Sequence, residues 1–125
     1  MKEMLLMYHI DDETKKIIDI ILQQLDVEMK EIADHDTHQF MGYLIGLPGF
    51  QSQKRETETE LTEPFLFFAH FTEEQLDIIL EVFKNAGIPY IPYKAMLTND
   101  NVNYTFEQLY QNVEQEYRQL TGQSN

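Results

Sequence analysis

The sequence of 125 residues contains no cysteine and no tryptophan, and only 9 Lys and Arg residues stand against 22 Asp and Glu. The absence of cysteine excludes disulfides, thiolate nucleophiles, zinc–thiolate centres and iron–sulfur clusters, and it is typical of a reducing compartment. The formal net charge of −13 would repel nucleic-acid phosphates and anionic membranes. We therefore expect a cytoplasmic protein without a nucleic-acid or membrane partner.

Groups that support catalysis are also scarce. The only serines are Ser52 and Ser124, in a polar segment and near the end of the chain, where nothing would fix the geometry of a nucleophile. The five glycines match neither the dinucleotide-binding fingerprint nor the P-loop. The apolar run at residues 4–8 is too short for a signal sequence or a membrane helix. We expect no cofactor, and a non-catalytic protein rather than an enzyme.

The hydrophobic pattern of residues 4–47 predicts a strand, a helix, a second strand and a short second helix. The apolar run 4–8 indicates a buried strand, and a stripe of isoleucine and leucine after Asp11 indicates an amphipathic helix. The first four residues of the segment 27–32 alternate apolar with charged side chains, which is typical of a half-exposed strand. Thr37 is expected to cap the short helix that follows.

Residues 64–120 repeat this order. The run 65–69 is the most apolar in the chain, and the segments beginning at Thr72 and Thr105 each have Gln three residues later, which predicts capping boxes. Residues 88–96 are predicted to be extended and, because they contain two prolines, to form a strand that is irregular or lies at a sheet edge.

Together these patterns predict a single α/β domain over residues 1–125, with tandem strand–helix–strand–helix units forming one four-stranded sheet with packed helices. The halves 4–47 and 64–120 are joined by a polar, exposed connector, 48–63, and followed by a flexible tail, 121–125. A shift of 61 residues superposes the first half on the second, which indicates an internal duplication. The more apolar first strand of each half is placed at the centre of the sheet. The sequence leaves open whether these central strands are parallel, with a crevice at their carboxyl ends, or antiparallel, without one.

Four polar residues are candidates for a ligand site. His9 and His70 occupy matching positions just after the two central strands, while Lys94 and Thr98 lie in and after the last strand. If the central strands were parallel, these side chains could meet in the crevice. The alternative is that both histidines only stabilise strand-end turns.

A second cluster contains the residue types that bind divalent metals. Asp34, His35, Asp36 and His38 follow one another within five positions, and imidazole with carboxylate suits Zn²⁺ or another first-row ion. The spacing matches no established metal motif, so a solvated turn before a helix is the simpler interpretation.

The second half resembles a family of small acidic bacterial proteins classed as a domain of unknown function. The resemblance rests on the apolar strand ending at Ala69, the acidic helix start, the Ala-Gly-Ile-Pro of residues 86–89 and the Lys-Ala-Met-Leu-Thr of residues 94–98. It covers residues 64–118, and it implies no activity.

We therefore predict a non-catalytic binding or regulatory module that acts through protein–protein contacts, with a homodimer as one form. One alternative is the binding of a small molecule or divalent metal in a crevice near His9, His70 and Lys94. The other is an enzyme of unidentified chemistry.

Overall fold

The computed structural model describes residues 1–55 and 61–122, and within them four strands form one mixed sheet. The order across the sheet is β2-β1-β3-β4, with β1 parallel to β2, β3 parallel to β4, and the central β1 and β3 antiparallel. The strands are β1 (Met4–Tyr8), β2 (Glu28–Glu31), β3 (Phe65–Ala69) and β4 (Tyr93–Met96). The predicted α/β class and the central position of the two apolar strands are confirmed.

The four helices of the described residues cover both faces of this sheet. They are α1 (Asp12–Leu25), α2 (Met41–Leu44), α3 (Glu73–Asn85) and α4 (Phe106–Leu120). The Asp11 carboxylate accepts a hydrogen bond from the Thr14 amide at the start of α1. Both predicted capping boxes form, at the starts of α3 and α4. None of the helices in residues 1–55 and 61–122 is long and apolar enough to cross a bilayer.

The strict alternation of β1 and β3 side chains divides the core into two layers. On one face, Leu5 and Met7 of β1 and Leu66 and Phe68 of β3 pack against α1 and α3. On the other face, the remaining strand residues pack against α2 and α4; they are Leu6, Tyr8, Phe65, Phe67 and Ala69. Successive side chains of a strand point to opposite faces, so a strand covered on both sides must be apolar throughout, as these two are.

The edge strands are shorter than the sequence pattern predicts. β2 is exposed at all four positions, so its charged side chains face solvent and discourage pairing with another chain. β4 begins only at Tyr93, after Pro89 and Pro92. A proline has no N–H to donate to a neighbouring strand, which explains why the regular strand starts beyond both of them.

One local prediction in the middle of the chain is wrong. Thr37 does not cap α2: residues 34–36 form a 3-10 turn, and the helix starts at Met41 after Phe40, whose side chain makes no capping bond. The connector is exposed at residues 51–54, as predicted, but it is anchored there, because the Gln53 amide donates to Gln39 Oε1 at 2.7 Å. Residues 56–60 of the connector and 123–125 of the tail, including Ser124, lie outside the described residues.

Gly42 allows an aromatic ring to pack against α2. A Cβ at this position would lie 2.4 Å from the Phe50 ring. That ring also contacts Phe40, with 6.2 Å between the ring centroids. The absence of a side chain at Gly42 is therefore required for the loop after α2 to fold back over the helix.

We expect Gly42→Ala to lower the free energy of unfolding by about 1–2 kcal/mol, because the Phe50 ring must leave its place. In a Phe50→Ala background the same change is expected to raise stability by up to about 1 kcal/mol, because alanine is the better helix former. Urea denaturation of the four proteins measures both effects. An equal effect of Gly42→Ala in the two backgrounds would contradict this account.

Candidate functional site

The antiparallel central strands place the two turn histidines at opposite ends of the sheet. Tyr8 pairs with Phe65 and Met4 with Ala69, so the residue that follows β1 is far from the residue that follows β3. Both His9 (φ 52°) and His70 (φ 67°) adopt the left-handed conformation that tightens the turn into the next segment. The structure therefore does not bring His9, His70 and Lys94 together in one crevice.

His9 instead belongs to a hydrogen-bonded cluster with Tyr8 and Asp34. The Tyr8 hydroxyl donates to Asp34 Oδ1 at 2.6 Å, and His9 Nε2 lies 2.7 Å from the same oxygen. The rings of Tyr8 and His9 are stacked, with centroids 4.0 Å apart. The hydrogen bonds from Tyr8 and then His9 lower the pKa of Asp34. Burial, followed by the hydrogen bond to Asp34, raises the pKa of Tyr8.

The candidate metal ligands do not converge. Asp34 is bound to Tyr8 and His9, whereas His35 Nε2 lies 3.5 Å from Asp36 Oδ2. His38 Nε2 lies 2.8 Å from the backbone oxygen of Gln53. Across residues 1–55 and 61–122, no three His, Asp or Glu side chains are placed to hold a metal ion together.

An ion pair that the sequence analysis missed lies beside this cluster. Arg55 Nη1 is 3.4 Å from Glu107 Oε1, and the two side chains are only 21% and 18% exposed. Arg55 Nη2 donates to the Asp34 backbone oxygen at 2.7 Å and to Thr37 Oγ1 at 2.8 Å. The Thr37 hydroxyl, 1% exposed as a residue, is 3.1 Å from Glu107 Oε1. We call Arg55, Thr37 and Glu107 the polar brace.

The polar brace ties together three segments that are distant in sequence: the turn after β2, the connector and the first turn of α4. One signal for it was available, because arginine is favoured over lysine in half-buried ion pairs and the chain has only two arginines, Arg55 and Arg118. The hydrogen bonds and the ion pair of the polar brace all join one protein group to another. We therefore assign it a structural role.

A cavity of about 440 Å³ adjoins the His9 cluster, and its charged groups are likewise paired. Lys15 and Glu31 form an ion pair on its wall, and His9 and Asp34 contact each other. A ligand entering here would have to displace existing contacts. We therefore regard this cavity as a weak candidate for a binding site.

A larger groove of about 540 Å³ runs between α3 and β4. Its floor and walls are mainly apolar, and their principal members are Leu66, Leu80, Phe83, Ile88, Tyr90 and Ile91. The groove exists because Pro89 and Pro92 delay the start of β4. The chain from Ile88 to Ile91 forms a wall beside α3 instead of pairing with the sheet.

Lys94 places an ammonium group in this groove. It lies opposite Leu66 in the pairing of β3 with β4, and its Nζ donates to the Ile91 backbone oxygen at 2.6 Å. The same Nζ is 4.3 Å from the centroid of the Tyr90 ring, whose residue is 79% exposed. Burial lowers the pKa of Lys94. Within residues 1–55 and 61–122, no carboxylate forms an ion pair with this ammonium.

Thr98 lies outside the groove lining and holds a turn. Its amide donates to Asn101 Oδ1 at 2.8 Å, and its hydroxyl accepts from the Asn101 amide at 3.0 Å. These reciprocal bonds start the 3-10 turn that leads to α4. Of the four candidate ligand residues, only Lys94 faces the groove.

Comparison with known proteins finds a family model that is similar to part of the chain. Residues 64–120 match DUF3783, a domain of unknown function. This segment runs from the start of β3 to the end of α4, so it contains both walls of the groove. No curated protein matches the chain significantly. No solved structure does so either.

We expect Glu107→Gln to lower the free energy of unfolding by about 1–2 kcal/mol, because the charged acceptor for Arg55 and Thr37 is lost. Glu116→Gln, at an exposed position of the same helix, is the matched control and is expected to change stability by less than about 0.5 kcal/mol. Urea denaturation measures both variants. Equal losses in the two variants would show that the polar brace adds nothing to stability.

Proposed function

We propose that this protein is a non-catalytic binding module whose ligand site is the groove between α3 and β4. The observation that carries the proposal is the half-buried Lys94 ammonium facing an apolar groove of about 540 Å³. Small-molecule sites commonly have this size, with apolar walls and a few polar groups that orient the ligand. Of the four predicted ligand residues, the proposed site retains Lys94. It does not include His9, His70 or Thr98.

The groups around the groove favour binding over catalysis. Lys94 contacts a backbone oxygen and an aromatic ring. Asp77, Glu81 and Lys84 of α3 are exposed side chains along the rim. A pair of titratable side chains within hydrogen-bond distance is a common arrangement for acid–base or nucleophilic catalysis, and Lys94 forms no such pair with any residue of 1–55 and 61–122. The arrangement is suited to holding a charged group in place.

We extend the proposal to location and origin. The absence of cysteine and the charge of −13 support a cytoplasmic protein without nucleic-acid or membrane partners, and the resemblance of residues 64–118 to a family of small acidic bacterial proteins supports a bacterial origin. The repeated strand–helix–strand–helix order and the left-handed histidine after each central strand support an internal duplication of the halves 4–47 and 64–120.

A second candidate function is protein–protein contact through the outer surface of α1 and α3. Four large aliphatic side chains on these helices are exposed, and three of them are isoleucines; the four are Ile17, Ile20, Leu25 and Ile78. Lys15 of α1 pairs with Glu31 of β2, and the groove occupies the β4 side of α3. The isoleucines lie on the other sides of their helices by helical spacing, so a second copy of the chain could cover them.

For this second candidate, we expect light scattering at raised ionic strength to report a mass that rises with concentration from 14.9 kDa toward twice that value. Salt is needed because it screens the repulsion between two acidic chains. Ile20→Glu is expected to keep the mass at that of the monomer. A wild-type mass that stays constant up to high concentration would exclude self-association.

For the groove, we expect the dye 1-anilinonaphthalene-8-sulfonate, a monoanion with an apolar body, to bind with enhanced fluorescence. Leu80→Trp, which fills the groove, is expected to weaken binding about tenfold, because the dye loses its apolar contact area. Gln111→Trp, at an exposed position of α4 on the opposite face of the sheet, is the matched control and should leave binding unchanged. Equal binding by both tryptophan variants would place the dye elsewhere and overturn the proposed site.

A further inference from the structure

We propose that the natural ligand of the α3–β4 groove is a monocarboxylate with an apolar body, whose carboxylate contacts Lys94 Nζ. This inference rests on the proposed function, since it names the chemical class of ligand for the same site. Three observations support this inference: the N–H donors that the Lys94 ammonium has left, the apolar lining of the groove and the charges of the rim.

The Lys94 ammonium has donor capacity left for a ligand. An ammonium carries three N–H donors, and one of these bonds to the Ile91 backbone oxygen at 2.6 Å. The Tyr90 ring, 4.3 Å away, contacts the charge through its face without accepting a full hydrogen bond. An anion in the groove would accept the remaining donors and offset the loss of hydration that half-burial imposes on this lysine.

The lining of the groove sets the character of the rest of the ligand. Leu80, Pro89 and Tyr90 present apolar surface to the groove that holds Lys94, above a floor of buried side chains; the buried residues are Leu66, Phe83, Ile88 and Ile91. A ligand that buried only a charged group would leave this apolar surface in water. An aliphatic or aromatic tail removes it from water, which is favourable in proportion to the area covered.

The rim discriminates between anions by their charge. Asp77 and Glu81 lie one helical turn apart on α3 and line the groove that holds Lys94. Their carboxylates repel any anion, and they repel a phosphate dianion more strongly than a carboxylate monoanion. Lys84, which also lines the groove, balances only part of this charge. We therefore assign the site to a monocarboxylate and not to a phosphate ester.

The test uses three ligands that each contain eight carbon atoms in a straight chain and differ in their heads: octanoate, octan-1-ol and octyl phosphate. Titrations of isotope-labelled protein are followed by the amide chemical shifts of Leu80, Ile91 and Lys94. We expect octanoate to bind about tenfold more tightly than octan-1-ol, because only octanoate forms a charged hydrogen bond. Octyl phosphate is expected to bind more weakly than octanoate.

Lys94→Met retains the apolar stem of the side chain and is expected to abolish the preference for octanoate over octan-1-ol. Lys16→Met, on the exposed surface of α1, makes the same change of charge away from the groove and should keep the preference. The comparison of ligands on the wild-type protein stands without either variant, should Lys94→Met fail to fold.

The outcomes separate this inference from the proposed function. Equal binding of octanoate and octan-1-ol at the groove would overturn the carboxylate class and leave the binding site intact. Tightest binding of octyl phosphate would also overturn the class, in favour of a dianionic ligand. If none of the three ligands shifts the groove amides, the proposed binding site itself is refuted.

Discussion

The antiparallel pairing of β1 with β3 is the constraint on which the rest of this structure depends. Both strands are apolar at every position and covered on both faces, so their backbone groups must bond to each other inside the core. This pairing sends the residues after β1 and after β3 to opposite ends of the sheet. It therefore gives the molecule two separate regions of polar chemistry, one at each parallel strand pair, in place of a shared crevice.

The first region, around the β1–β2 pair, is dominated by contacts among protein groups. Tyr8 packs within the aromatic core, 5.0 Å from the Phe106 ring by centroid, and its hydroxyl reaches out to Asp34. The polar brace continues from the Asp34 backbone to α4. The chain thus holds a half-buried arginine without leaving a charge unpaired, a condition that burial of charge requires. In the second region, around β3–β4, the Lys94 ammonium contacts a backbone oxygen and an aromatic ring, and we propose that it also contacts a ligand.

The elements of the fold could be predicted from local sequence, because local physics forms them. The capping boxes at Thr72 and Thr105 need only a hydroxyl and an amide three residues apart. The apolar runs 4–8 and 65–69 needed burial on both faces wherever they paired. The contacts of Thr37 could not be predicted, because its partners Arg55 and Glu107 are 18 and 70 positions away. A threonine before a helix looks like a cap until those partners are known.

The candidate site, like the fold, could be predicted only in part from the sequence. By itself, the sequence determined an acidic α/β domain without thiol chemistry, the central and edge positions of its strands, and Lys94 as a residue to examine. Only the tertiary structure decided that His9 and His70 lie apart, that the candidate metal ligands have other partners, and that Lys94 faces an apolar groove. The physical reason is that strand composition reports burial, whereas strand direction depends on pairing between segments about sixty residues apart.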